Sequence, residues 1–181
     1  MTSRPATLVL VVGTATEVGK TWASCRLAER LRVDGATVAA RKPAQSFEPG
    51  DDDAEVTDAH LLAAATGDVP EAVTPSHRWY PVPMAPPMAA EVLGLPPVRI
   101  GDLVDEIGWP PGTAYGLVEA AGSVRSPLAV DGDAVVLAAR TRPDLVLLVA
   151  DAGLGTIGSV RIAADALAGH RLVVLLNRYD A

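Results

Sequence analysis

The stretch Thr7-Leu8-Val9-Leu10-Val11-Val12-Gly13-Thr14-Ala15-Thr16-Glu17-Val18-Gly19-Lys20-Thr21 decides the reading of this chain. Thr7–Val12 is a short apolar run, the pattern of a parallel strand buried on both faces, which has no solvent side to alternate toward. Lys20–Val33 carries Trp22, Ala23, Leu27 and Leu31 at helical spacing and stops before Gly35, so a helix is expected there. Between strand and helix lies a loop with two glycines that ends in Gly19-Lys20-Thr21. Backbone N–H groups and a helix N-terminus at such a place cradle phosphate. In a phosphate loop the lysine contacts the β- and γ-oxygens and the following hydroxyl ligates Mg²⁺. The spacing departs from the usual form, because five residues rather than four separate Gly13 from Gly19.

The cations support the same reading. Of 15 Lys and Arg residues only Lys20 and Lys42 are lysine. Lys42 follows a second apolar run, Thr37–Ala40, so both lysines fall just past the carboxyl ends of expected strands. That is where open α/β sheets bind ligands. An ammonium is a compact, mobile point charge suited to a phosphate oxygen, unlike the guanidinium fork used elsewhere in this chain.

Composition bounds the partners. The 181 residues are long enough for one domain that buries roughly 70% of its unfolded surface, with 49% hydrophobic and 20% charged residues. A formal net charge of −7 argues against nucleic acid or an anionic membrane as partner. The lone Cys25 suits a reducing cytoplasm and is read as a core residue. No apolar run approaches a membrane span, and Met1–Ala6 reaches the first strand without a signal-peptide pattern. A cytoplasmic protein acting on small molecules is expected.

Further strands are expected at Tyr115–Glu119, Leu145–Ala150 and Leu172–Leu176, and helices over Val56–Thr66, Met88–Leu93, Ile100–Ile107 and from the Gly153–Ser159 segment through Ala168. Pro43–Asp53, ending in Asp51-Asp52-Asp53, is read as a solvated polar loop, and Pro75–Pro87, with five prolines, also as loop. The alternation of strand and helix predicts an α/β fold with a doubly wound, mostly parallel sheet of the P-loop nucleotide hydrolase type, in a single domain 1–181. Carboxylates are needed for a metal-bound triphosphate. Asp58 opens a helix, Glu119 ends a strand without a helix to cap, and Asp151 ends another strand, either as a second metal ligand or to fix the next loop. His60, His77 and His170 have no ligand spacing. The glycine-rich opening of the helix after Asp151 leaves free N–H groups that favour an anion.

Gly13–Thr21, Lys42-Pro43-Ala44-Gln45-Ser46, Asp58-Ala59, Leu117-Val118-Glu119-Ala120-Ala121-Gly122, Gly153-Leu154-Gly155-Thr156-Ile157 and Leu175-Leu176-Asn177 follow one another in an order that resembles the dethiobiotin synthetases. The resemblance runs from the first strand to Asn177. It implies an ATP- and Mg²⁺-dependent ligase that closes the ureido ring of 7,8-diaminononanoate with CO₂ in biotin synthesis, and a homodimer with its site near the subunit interface. It implies a nucleotide site at Gly13, Thr14, Thr16, Glu17, Val18, Gly19, Lys20, Thr21, Trp22, Asp58, Glu119, Gly122 and Asn177, with Lys20 on the transferring phosphate and Asn177 reading the base. Thr21, Asp58 and Glu119 would hold Mg²⁺. Lys42 would be the catalytic lysine beside Lys20, steadying the substrate carbamate, with Ser46, Thr16, Gly155 and Thr156 at the substrate. The diamine's carboxylate would lie on the Gly155–Ser159 helix of the partner subunit.

Several segments differ from that pattern. Ala120 and Ser123 stand where the family usually has glycine, a change expected to crowd backbone approach to ligand. Phe47 also replaces a glycine, and Gly158-Ser159 replace Asn-His. Family chains continue beyond Asn177 with another strand, a base-contacting loop and helices, elements that this sequence is expected to lack. Two other readings follow from the residues: a related ATP-dependent ligase on another amine or carboxylate, and a non-catalytic nucleotide-binding switch. Lys42 separates the last from the others, since a switch needs no second lysine at its site.

Overall fold

The computed structural model describes residues 4–50 and 56–179, so the expected Asp51–Asp53 loop lies outside the described residues. Five strands form one parallel sheet: β1 (Thr7–Gly13), β2 (Val38–Arg41), β5 (Tyr115–Glu119), β6 (Leu145–Asp151) and β7 (Leu172–Asn177), in the order β2-β5-β1-β6-β7. β1 is central. Its register sets Val11 beside Glu119 on one side and Gly13 beside Val149 on the other, so the phosphate loop leaves the sheet between the carboxyl ends of β5 and β6.

Because side chains alternate across a strand, β1 feeds two cores. Val9 and Val11 pack with helix α1 (Lys20–Val33) and helix α2 (Asp58–Thr66) through Ala23, Ala28, Ala59 and Leu62. Leu8, Leu10 and Val12 pack on the opposite face, against α4 (Pro86–Val92), α5 (Ile100–Asp105), α6 (Ala134–Thr141) and α7 (Thr156–Ala166). Helices therefore cover both faces, as the strand–helix alternation predicts.

The expected strands and the first helix appear within a residue or so of their sequence bounds, and α2 begins two residues later, at Asp58. The proline-rich stretch is corrected. Rather than loop throughout, it holds a single 3₁₀ turn (Ser76–Arg78), a two-residue strand β4 (Trp79–Tyr80) and the start of α4. Pro86 is accepted because the first helical residue needs no N–H partner. The segment read as a polar loop contains β3 (Gln45–Ser46), which pairs with β4 in a separate two-stranded sheet. α3 (Pro70–Val73) and α6 are further elements. The Asp133 carboxylate caps α6 by accepting from the N–H groups of Val135 and Val136 at 2.9 and 3.2 Å. Among the described residues, no helix is long and apolar enough to cross a membrane.

Gly116, paired with Leu8 and Ala39 inside the sheet, shows how tightly β5 is packed. A Cβ there would stand 2.6 Å from the Pro5 ring and 2.7 Å from the Trp109 ring. Gly116→Ala is expected to cost about 1–3 kcal/mol by overpacking, read as a lower urea midpoint at unchanged m. An unchanged midpoint would show that both rings move aside freely.

Candidate nucleotide and metal site

The loop after β1 wraps closely enough that a Cβ on Gly13 would lie 2.9 Å from the Ala15 carbonyl and 3.0 Å from Lys20 Cδ. Glu17 takes a left-handed φ of 58° and Gly19 one of 93°. At Gly19 a side chain would also collide with the Asn177 amide, which donates to the Val18 carbonyl at 3.0 Å. Arg178 donates to the Glu17 carbonyl at 2.9 Å. The end of β7 thus buttresses the loop. Lys20 Nζ donates to the Ala15 carbonyl at 3.0 Å, curled over the hollow that its own loop encloses.

Beneath Lys20, charged groups converge. Lys42 Nζ donates to Asp58 Oδ2 at 2.5 Å and Glu119 Oε1 at 2.7 Å, with Lys42 and Glu119 almost fully buried and Asp58 partly exposed. Thr21 Oγ1 stands 2.8 Å from both Asp58 Oδ1 and Glu119 Oε1. Burial lowers the Lys42 ammonium, but Glu119 and Asp58 more than compensate, and it is held above the ordinary lysine range. Burial likewise pushes the Asp58 carboxyl up, yet the Lys42 charge and the hydrogen bonds from Lys42 and Thr21 carry it below its ordinary value. Lys20 is lowered, first by burial and then by repulsion from Lys42.

This donor set suits a hard divalent cation. A hydroxyl has one hydrogen, so Thr21 can donate to only one of its two carboxylate neighbours. The other 2.8 Å approach is oxygen against oxygen, the close spacing that a shared cation relieves. Two carboxylates and a hydroxyl leave the remaining positions for phosphate oxygens and water, which is how Mg²⁺ is usually held.

The cluster is aimed by residues whose role had no motif to reveal it. Gln45 Oε1 accepts from the Ala59 N–H at 3.1 Å, and its amide donates to Thr57 Oγ1 at 3.2 Å; together they fix the start of α2 and so Asp58. The Lys42 backbone is pinned at both ends, its N–H to the Val73 carbonyl at 2.8 Å and its carbonyl to Thr74 Oγ1 at 2.8 Å. An X-Pro-Ala-Gln sequence shows none of these long-range partners.

A cavity of about 780 Å³ opens above the cluster. Thr16, Glu17, Gly19, Lys20, Thr21, Lys42, Ser46, Asp58 and Gly122 line it, joined by Phe47, Glu48, Met84 and Arg178. Ser46 Oγ is buried without a hydrogen-bond partner among the described residues. Gly13, Thr14, Val18 and Asn177 shape the loop from behind, and Glu119 lies beneath the floor. Trp22 is half exposed and, like Gly155 and Thr156, stands outside the lining. Asp151 also stands apart from the cluster. Its carbonyl accepts from the Thr156 hydroxyl and its carboxylate faces Arg178 at 3.8 Å, so it fixes the following loop. The expected crowding by Ala120 and Ser123 does not arise. Ala120 is buried in the core, the Ser123 hydroxyl meets that of Ser126 at 2.9 Å, and neither lines the cavity.

A family model described as an AAA domain matches residues 7–178. A protein named ATP-dependent dethiobiotin synthetase BioD from Rhodococcus jostii is 37% identical over 169 residues, covering 91% of this chain and 69% of that relative. One of the same name from Caulobacter sp. strain K31 is 38% identical over 181 residues, covering 96% and 77%. Among solved structures, the kinase domain of the Escherichia coli tyrosine kinase ETK superposes with a TM-score of 0.53 at 17% identity, covering 97% of this chain and 70% of that one. The signal recognition particle receptor FtsY from Elizabethkingia anophelis in complex with GDP gives 0.52 at 17% identity, covering 96% and 50%. At such identity these structures speak for the P-loop fold alone. The two relatives speak for more, and with the family model spanning β1 to β7 they establish that this chain belongs to the dethiobiotin synthetase family.

Proposed function

We propose that this chain is an ATP- and Mg²⁺-dependent dethiobiotin synthetase that closes the ureido ring of diaminononanoate with CO₂. Family membership makes it an ATP-dependent ligase. The observation that carries the finer reading is Lys42, a second lysine buried at the floor of a phosphate-loop cavity and tied to the same carboxylates as Thr21. A nucleotide switch has no use for it. A carbamate attacking a triphosphate brings two anions together, and fixed cations lower that barrier most effectively.

In this reading the loop amides and Lys20 hold the phosphates. Thr21, Asp58 and Glu119 hold Mg²⁺, which neutralises the phosphate oxygens when bound. Lys42 steadies the carbamate and its developing charge. Ser46, with its unpartnered buried hydroxyl, and Thr16 meet the diamine, and Asn177 lies toward the base. Phe47 in the cavity wall and Gly158-Ser159 in place of Asn-His favour a second reading, the same chemistry on another amine.

Homodimerisation belongs to the proposal. Gly155 and Thr156 lie outside this chain's own cavity lining, on a helix that exposes Ile157 and Ile162 beside the exposed Leu154. A second copy would cover that face and bring the α7 N-terminus to its neighbour's substrate. A cytoplasmic site of action fits the lone Cys25, whose thiol burial pushes up to about 11.

The direct test adds diaminononanoate and bicarbonate to the protein with Mg-ATP. ATP hydrolysis is expected to rise and dethiobiotin to form, as seen by mass spectrometry; turnover indifferent to both additions would sink the proposal. The two lysines are expected to divide their labour. Lys20→Ala weakens nucleotide binding in calorimetry. Lys42→Ala keeps nucleotide affinity within a few-fold while turnover falls by about 10² or more, and equal loss of affinity in both variants would refute the division. Sharing across the dimer is tested by mixing Lys42→Ala with Gly158→Glu, each inactive alone. A Cβ at Gly158 meets no atom within 4 Å, so the new carboxylate is tolerated by the fold and repels the substrate anion. Exchanged mixtures are expected to regain one intact site per dimer; no recovered activity would place each site within a single chain.

A further inference from the structure

α1 turns Lys20, Thr21 and Ser24 to one side, since residues three and four apart are neighbours on a helix. The first two serve the phosphate loop. Ser24 is fully buried, at a position where alanine has the better helix propensity. A serine inside a helix ordinarily turns its hydroxyl to solvent or back to the carbonyl four residues earlier. Here Ser24 Oγ instead donates across to β5, to Glu119 Oε2 at 2.8 Å.

That bond divides the Glu119 carboxylate. Oε2 is occupied by Ser24, whereas Oε1 faces Thr21 at 2.8 Å and Lys42 at 2.7 Å. Both Glu119 and Ser24 are buried in a packed floor, so the carboxylate has little room to turn while the bond is made. Its orientation decides how many oxygens a cation meets. Mg²⁺ demands a small octahedral shell and takes single carboxylate oxygens, whereas Ca²⁺ accepts both oxygens of one carboxylate in a looser shell.

We propose that Ser24 is a positioning residue that makes Glu119 a one-oxygen ligand and thereby tunes the site for Mg²⁺ over Ca²⁺. The proposal rests on the reading of Glu119 as a metal ligand. Orienting groups behind a ligand commonly change metal affinity by about 10- to 100-fold when removed. Without Ser24, Oε2 is free to rotate toward the cation.

The experiment measures Mn²⁺, as a stand-in for Mg²⁺, and Ca²⁺ binding by calorimetry with the protein saturated by a non-hydrolysable ATP analogue. Ser24→Ala is expected to weaken Mn²⁺ by about tenfold, leave Ca²⁺ equal or tighter, and so narrow the Mn²⁺/Ca²⁺ ratio; Ser24→Thr, which restores a hydroxyl, returns the ratio toward the parent value. A merely structural serine would lower the melting temperature without moving that ratio. If the alanine variant fails to fold, Ser24→Cys, close in volume with a weak donor, is read the same way. An unchanged ratio in a folded variant, with Glu119→Gln weakening Mn²⁺, overturns the role of Ser24 alone. Glu119→Gln without effect on Mn²⁺ overturns the metal reading and this inference with it.

Discussion

The site is organised around a buried carboxylate. Glu119 ends β5, an interior strand of the sheet, where an unpaired charge would cost several kcal/mol in lost hydration. Its partners come from two other elements, Thr21 and Ser24 from α1 and Lys42 from the segment after β2, and Asp58 at the head of α2 shares Thr21 and Lys42 with it. Each of these groups is therefore committed in position by the need to satisfy the others. Lys42 cannot leave without exposing two acids to each other, and Glu119 cannot be lost without stranding a buried ammonium.

That requirement explains supporting contacts that would otherwise look incidental. A lysine that must meet two carboxylates tolerates little play in its backbone, and the Val73 carbonyl and Thr74 hydroxyl hold it at both ends. Asp58 sits at a helix start, the part of a helix most prone to fray, and Gln45 secures that start from a different sheet. The small β3–β4 sheet thus holds Gln45 and Ser46 near the cluster of Lys42, Asp58 and Glu119.

The sequence disclosed whatever repeats locally. β1, β5 and β6 are buried on both faces and read as unbroken apolar runs; α1 is bracketed by glycines at both ends, so its bounds are sharp. The phosphate loop and Lys42 stood out because lysine is so scarce. What stayed hidden depends on distant partners. Two-residue strands carry no periodicity, the Ala134–Thr141 helix announces itself only through the Asp133 cap, and Pro86 starts a helix in a stretch that its prolines seemed to forbid. Ser24 matches no motif, and the Lys42–Ser46 motif that contains Gln45 does not show its role, because their meaning lies in Glu119 and Ala59, outside their own segments. Ala120 and Ser123 looked obstructive on paper, yet one points into the core and the other bonds to Ser126.

The contact between Gly19 and Asn177 has a dynamic consequence. β7 is the outer strand of the sheet, partly exposed along much of its length, and outer elements with few buried contacts open locally before the interior does. Yet its last residue and the one after it hold the carbonyls of Val18 and Glu17. The position of the β7 end and the shape of the phosphate loop are therefore linked through these two hydrogen bonds. Whatever covers the rim also steadies the loop, so the grip on phosphate is set in part by a surface that no phosphate touches.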